Sequence, residues 1–114
     1  MKVLRNIVVK SLVAYGIPET NISQAINGVQ ALELLQTIHI DLIISDWNMP
    51  EMDGLELLKI CKANRKLKAL PFIMLTSESD KGKIVEAVSL DVAGYLLKPI
   101  QKELLFLKIT SLFA

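Results

Sequence analysis

Three nearly unbroken apolar runs constrain this chain more than any other feature: Leu42-Ile43-Ile44, Phe72-Ile73-Met74-Leu75 and Ala93 to Leu97. A strand with water on one face alternates apolar and polar residues, so a continuous run marks a strand covered on both faces. Between the runs the period changes. Val3, Leu4, Ile7, Val8, Leu12 and Tyr15 recur at three and four, which predicts an amphipathic helix ending at Gly16, with Pro18 closing it. Asn21 to Ile26 is short and half apolar and is read as a further strand. Asn27 with Gln30, and Asp53 with Glu56, each have the three-residue spacing of a capping box and open helices through Ile38 and Cys61. Ile84 to Leu90 and Leu104 to Phe113 carry two more helix faces. Buried strands alternating with helices predict an α/β fold, a doubly wound parallel sheet with helices on both faces.

Composition narrows the class of function. Hydrophobic residues make up 52% of the 114 residues, enough to fold by burial as one domain spanning 1–114. Thirteen Lys and Arg against twelve Asp and Glu give a net charge of +1, which argues against duplex nucleic acid or an anionic membrane as partner. No apolar run approaches the roughly 18 residues of a membrane span. The polar residues of Met1 to Asn6 do not read as a signal peptide. A single cysteine, Cys61, excludes an internal disulfide and a Cys-based zinc site, and fits a cytoplasmic protein. Cys61 shares a helix face with Leu57 and Leu58 and is expected in the core; His39 is expected on a surface loop.

In parallel sheets chemistry gathers at the carboxyl ends of the strands. Here those ends carry Ser45-Asp46, Thr76-Ser77 and Lys98. A carboxylate, a hydroxyl and an ammonium at one sheet edge suit phosphoryl transfer. The carboxylate attacks, while the other two bind phosphoryl oxygens as charge gathers on them. No Gly-rich phosphate loop follows any of these strands, which argues against a nucleotide binder.

The segment Ile44-Ser45-Asp46-Trp47-Asn48-Met49-Pro50-Glu51-Met52-Asp53-Gly54 resembles the phosphoacceptor segment of response-regulator receiver domains, above all the stand-alone chemotaxis type. Leu75-Thr76-Ser77 resembles the family's switch hydroxyl, and Tyr95-Leu96-Leu97-Lys98-Pro99 its Lys-Pro end strand. The resemblance covers essentially the whole chain and implies a flavodoxin-like receiver fold of a two-component system. By it, Asp46 accepts a phosphoryl group from a histidine kinase or a small phosphodonor, Thr76 senses it, and Lys98 pairs with it. Tyr95 moves with the switch, Asn48 and Glu78 tune dephosphorylation, and the Lys98–Pro99 bond is cis. Asp46 and the main-chain carbonyl of Asn48 become magnesium ligands. The domain is a phosphoacceptor rather than an enzyme with turnover, and it meets its downstream partner through its fourth helix, fifth strand and fifth helix.

One departure bears on this. The family begins with a strand ending in two adjacent acids that bind magnesium, whereas Met1 falls where the family's first helix begins. The chain is therefore expected to lack the N-terminal strand and to bind magnesium weakly or not at all. A second reading stays open, a phosphorylation-deficient pseudo-receiver acting as a protein–protein interaction module. A sheet short of a central strand, with a last helix apolar nearly all round, predicts a homodimer in which elements are exchanged or the last helices meet. Trp47 is expected at the rim of the site or as a packing residue of its loop.

Overall fold

The computed structural model describes residues 2–113, with the side chains of Glu78, Ser79 and Lys81 outside the described set. The chain opens with α1 (Lys2–Tyr15), passes a 3-10 turn at Glu19–Asn21, and continues as α2 (Gly28–Thr37) and β1 (Ile43–Asp46). Next come α3 (Gly54–Ala63), β2 (Phe72–Thr76), a 3-10 segment at Glu78–Lys83 and α4 (Ile84–Ser89). The chain ends in β3 (Gly94–Leu97) and α5 (Lys102–Phe113).

The strands form a parallel sheet in the order β1-β2-β3, and β2 is buried along its whole length. Its side chains divide by parity, as a pleated strand requires. Ile73 and Leu75 pack with Val8 and Leu12 of α1 and Leu105 and Ile109 of α5. Phe72 and Met74 face the other way, against Leu57, Leu58 and Cys61 of α3 and Ala87 of α4, with Ala31 and Leu35 of α2 at the margin. Helices thus cover both faces, as the doubly wound pattern predicts.

Both capping boxes form. Asn27 Oδ1 accepts the Gln30 N–H at 2.8 Å, and Asp53 Oδ1 accepts the Glu56 N–H at 2.9 Å. These caps set where α2 and α3 begin, the helices that precede and follow β1 in the chain. Lys59 on α3 and Glu86 on α4 pair at 2.8 Å across the surface, and the Glu86 carboxylate raises the Lys59 pKa.

Two expectations are corrected, and a third is decided between its alternatives. Asn21 to Ile26 is not a strand: Asn21 closes the 3-10 turn, donating to Pro18 O at 2.9 Å, and the residues after it join no ladder. The physical reason is separation, since a cavity lies between this segment and the edge of β1. β3 is not covered on both faces. Leu96 lies under α5, while Tyr95 and Leu97 are nearly half exposed because six-residue α4 is too short to cover them. Of the two expectations for Trp47, packing holds: it is 2% exposed and belongs to the core cluster with Leu57 and Phe72.

Candidate phosphoacceptor site

β1, β2 and β3 end side by side, and their last residues build the site. The register pairs Asp46 with Leu75 and Thr76 with Leu97, so Asp46, Thr76 and Lys98 stand at one edge in sheet order. Backbone bonds hold them there: Trp47 N–H donates to Leu75 O at 3.0 Å, and Lys98 N–H donates to Thr76 O at 2.7 Å. The Lys98–Pro99 bond is cis, as the resemblance implies.

Lys98 reaches back over β2 and sets its Nζ 2.5 Å from Asp46 Oδ1. The same oxygen accepts the Asn48 N–H at 3.2 Å. Asp46 Oδ2 is buried without a hydrogen-bond partner among the described residues. A buried unpartnered oxygen of a charged group costs at least ~1–3 kcal/mol, and such costs persist mainly at functional positions. The carboxylate thus has one oxygen held and one free. A neighbouring ammonium balances the carboxylate's charge.

Thr76 is fully buried, and its hydroxyl donates to Leu96 O at 3.5 Å, a long bond that rotation of the hydroxyl can exchange. Ser45 Oγ donates to Asp46 O at 2.9 Å and stiffens the strand end. Gly54 is required by close approach. A Cβ there would stand 2.4 Å from Asp46 O and 2.8 Å from Met74 Sδ, so only glycine lets α3 start directly beneath Asp46.

The structure brings Asp46, Thr76, Lys98 and Asn48 together. It leaves Tyr95 farther out on β3, nearly half exposed. The Glu78 side chain lies outside the described residues; its backbone begins the 3-10 segment after β2. Asp80 is a polar residue that the sequence analysis passed over. Its carboxylate is buried and accepts both the Ser77 N–H at 2.9 Å and the Ser77 Oγ–H at 3.0 Å, tying down the loop that follows Thr76. The signal was present as Ser77-x-x-Asp80, a capping-box spacing ahead of the apolar face of α4.

A magnesium ion takes six oxygens, some from carboxylates, others from carbonyls, phosphates and water. Among the described residues no group of three or more His, Cys, Asp or Glu converges to hold a metal, and one oxygen of Asp46 is already paired with Lys98. The donors among the described residues fit the ion incompletely.

Comparison with known proteins agrees with this geometry. Residues 2–110 match the response regulator receiver domain family. The chain is 39% identical over 94 residues to the chemotaxis protein CheY of Pseudomonas aeruginosa, covering 82% of this chain and 76% of that protein. It is 39% identical over 93 residues to CheY-3 of Vibrio cholerae, with 82% and 72% covered. Among solved structures, Vibrio cholerae chemotaxis protein CheY4 superposes with a TM-score of 0.82 at 32% identity, over 95% of this chain and 88% of that one. The signal receiver domain of a Syntrophus aciditrophicus histidine kinase superposes with a TM-score of 0.87 at 28% identity, over 98% and 83%. Strand-end chemistry, sheet order and sequence therefore converge on one assignment: the chain belongs to the response-regulator receiver domains.

Proposed function

We propose that this receiver is a phosphoryl-accepting switch whose acceptor is Asp46. The observation that carries the reading is the Asp46–Lys98 pair, with the second carboxylate oxygen unpartnered at the carboxyl end of the sheet. An Asp46 oxygen attacks the phosphorus of a phosphohistidine on a histidine kinase, or of a small phosphodonor. A P–O bond forms, the P–N bond breaks, and the leaving nitrogen takes up a proton. The product is an acyl phosphate on Asp46. Lys98 and Thr76 donate to its phosphoryl oxygens, where positioned donors stabilise developing charge best. Asn48 and Glu78 tune the attack of water that resets the switch. The chain is thus a stoichiometric acceptor, a single cytoplasmic domain over residues 1–114.

The output leaves through α4, β3 and α5. Val85 and Val88, Tyr95 and Leu97, and Leu104 and Leu107 are all exposed there. Clustered apolar exposure marks a protein-binding face, and turning of Thr76 toward the phosphoryl group is read out through Tyr95 beside it. The relatives carry the name chemotaxis protein, and we assign this chain to the same kind of two-component response. The same face serves self-association as a homodimer. Magnesium binds weakly, because among the described residues no group of three or more His, Cys, Asp or Glu converges to hold it. A magnesium titration should move Trp47 emission little in the low-millimolar range.

The reading is tested by phosphotransfer from a phosphorylated histidine kinase domain. The wild-type chain should take up label, and the Asp46→Asn chain should not. A folded wild-type chain that takes up none, while still binding a partner through α5, would favour the interaction-module reading instead.

A further inference from the structure

The end of the sheet away from Asp46 carries a charge pattern that phosphoryl transfer does not use. Five of the thirteen basic residues, Lys59, Lys62, Arg65, Lys66 and Lys68, fall within residues 59–68. No Asp or Glu occurs from Leu57 to Ser77. Lys59 is paired with Glu86, and Lys62 Nζ donates to Lys68 O at 3.2 Å. Arg65, Lys66 and Lys68 are exposed and pair with no acid among the described residues.

The turn that carries these three is held in place. Asn64 Oδ1 accepts the Lys66 N–H at 2.8 Å and the Leu67 N–H at 3.2 Å, and Asn64 O accepts the Lys68 N–H at 2.9 Å. Leu67 packs against the core cluster around α3 and anchors the turn. A backbone already fixed leaves less to be ordered when a partner binds.

Beside the turn lies a groove of about 420 Å³. Leu67, Leu70 and Pro71 line it, together with Leu35, Ile38 and Ile40 from the end of α2 and the chain beyond it. The Ile43 N–H donates to Pro71 O at 3.0 Å and ties these two stretches together. Ile38 is 41% exposed, so the groove offers apolar surface to solvent. Lys66 lines it from the turn, and Asp41 and His39, paired with each other at 2.7 Å, line it from the α2 side. Asp41 and Pro71 come just before β1 and β2, whereas Asp46 is the last residue of β1. Groove and phosphoacceptor thus lie at opposite ends of the sheet.

The combination selects the occupant. A compact ligand in the groove meets Lys66 alone among the three unpaired cations, because Arg65 and Lys68 do not line it. Duplex nucleic acid or an anionic membrane reaches the cations but leaves the apolar groove unfilled, and the net charge of +1 gives little attraction at long range. A chain that mixes apolar and acidic residues fills the groove and meets all three cations. Asp41 sets its orientation, since acids are repelled from that side and drawn to the Lys66 side.

We infer that this groove docks an acidic, amphipathic segment of a partner protein. An apolar side chain of the segment enters between the end of α2 and the turn, and its carboxylates face Arg65, Lys66 and Lys68. Docking there leaves the strand ends at Asp46 open, so the partner is held whether or not Asp46 carries a phosphoryl group. The surface is a constant tether, separate from the switched face on α4, β3 and α5.

The test uses the 114-residue chain and a short fluorescein-labelled peptide in which single Leu residues alternate with pairs of Asp or Glu. Anisotropy should show saturable one-to-one binding. Reversing Arg65→Glu and Lys68→Glu together should weaken it about tenfold. A peptide with Ser in place of every Leu should also bind about tenfold more weakly. Asp41→Asn should tighten binding about twofold, and Asp46→Asn should leave it unchanged. Thermal melts show whether the variants remain folded; if the double reversal unfolds the chain, Arg65→Gln and Lys68→Gln singly should each weaken binding about twofold. No binding to the folded wild-type chain overturns the inference. Equal binding of the Ser peptide does so too, since it reduces the cluster to a solvated basic patch. Tighter binding of single-stranded RNA or of phosphatidylglycerol vesicles would give the surface to a different class of partner. Binding lost in a folded Asp46→Asn or Leu107→Lys chain, and kept in the double reversal, would place the peptide elsewhere and overturn it as well.

Discussion

Lys98 Nζ stands 2.5 Å from Asp46 Oδ1 although the two residues end strands that β2 separates. Neighbouring strands lie about 4.8 Å apart, so the lysine must stretch across the middle strand to reach the carboxylate. Its side chain remains 25% exposed, whereas that of Asp46 is 8% exposed. The partner that balances the buried charge therefore also borders solvent.

Lys98→Met should slow labelling by about a hundredfold, the cost of losing one positioned donor at a developing charge. It should also destabilise the fold by about 1–3 kcal/mol, because Asp46 loses its counter-charge. Labelling time courses and urea melts separate the two effects. An unchanged rate would remove Lys98 from the chemistry.

Gly54→Ala should cost about 1–3 kcal/mol, since the added methyl group meets the Asp46 carbonyl and the Met74 sulfur. The backbone must shift at Asp46 to admit it. Labelling should therefore fall more than for Gly82→Ala, where a Cβ meets nothing within 4 Å. Equal behaviour of the two variants would show that the α3 start does not position Asp46.

Burial pushes the Cys61 thiol up to about 11 from an ordinary 9.0, with Lys62 opposing slightly. The folded chain keeps a proton that the unfolded chain releases above pH 9. Stability from this thiol is thus complete below about pH 9 and is lost as pH rises toward 11. The loss should be on the order of 2–3 kcal/mol. Urea melts between pH 8 and pH 11 on wild-type and Cys61→Ala chains should show a slope that the variant lacks. Thiol reagents should react with Cys61 only after unfolding.

On α5, Leu107 is 67% exposed and Leu105 is fully buried. Leu107→Lys should leave stability within about 0.5 kcal/mol, as surface changes usually do, and should weaken dimerisation and partner binding. Leu105→Lys should unfold the chain. Light scattering with thermal melts distinguishes the two, and a Leu107→Lys chain that still associates would move the interface off α5.

Strand positions, capping boxes and the trio of Asp46, Thr76 and Lys98 were legible because each rests on local chemistry. Apolar runs require two covered faces, caps require a side-chain acceptor, and strand ends collect polar groups. What was not legible depends on neighbours distant in sequence. The apolar residues of α5 gave no sign that Leu105 turns inward while Leu104 and Leu107 turn outward, because α5 lacks a polar face to set its rotation. Asn21 to Ile26 has the composition of a strand, but ladder formation needs an adjacent edge. Trp47 follows the end of β1 on a loop, yet its ring enters the core because Leu57 and Phe72, distant in sequence, are there to receive it. The cavity beside β1 emerges only when α1, α2 and the sheet are assembled.

The central claim, that Asp46 accepts the phosphoryl group, is tested most directly by treating the wild-type and Asp46→Asn chains with phosphoramidate and following intact mass. The wild-type chain should gain one phosphoryl group that maps to the peptide containing Asp46, and the Asp46→Asn chain should gain none. A folded Asp46→Asn chain that gains the same group at the same rate would contradict the account.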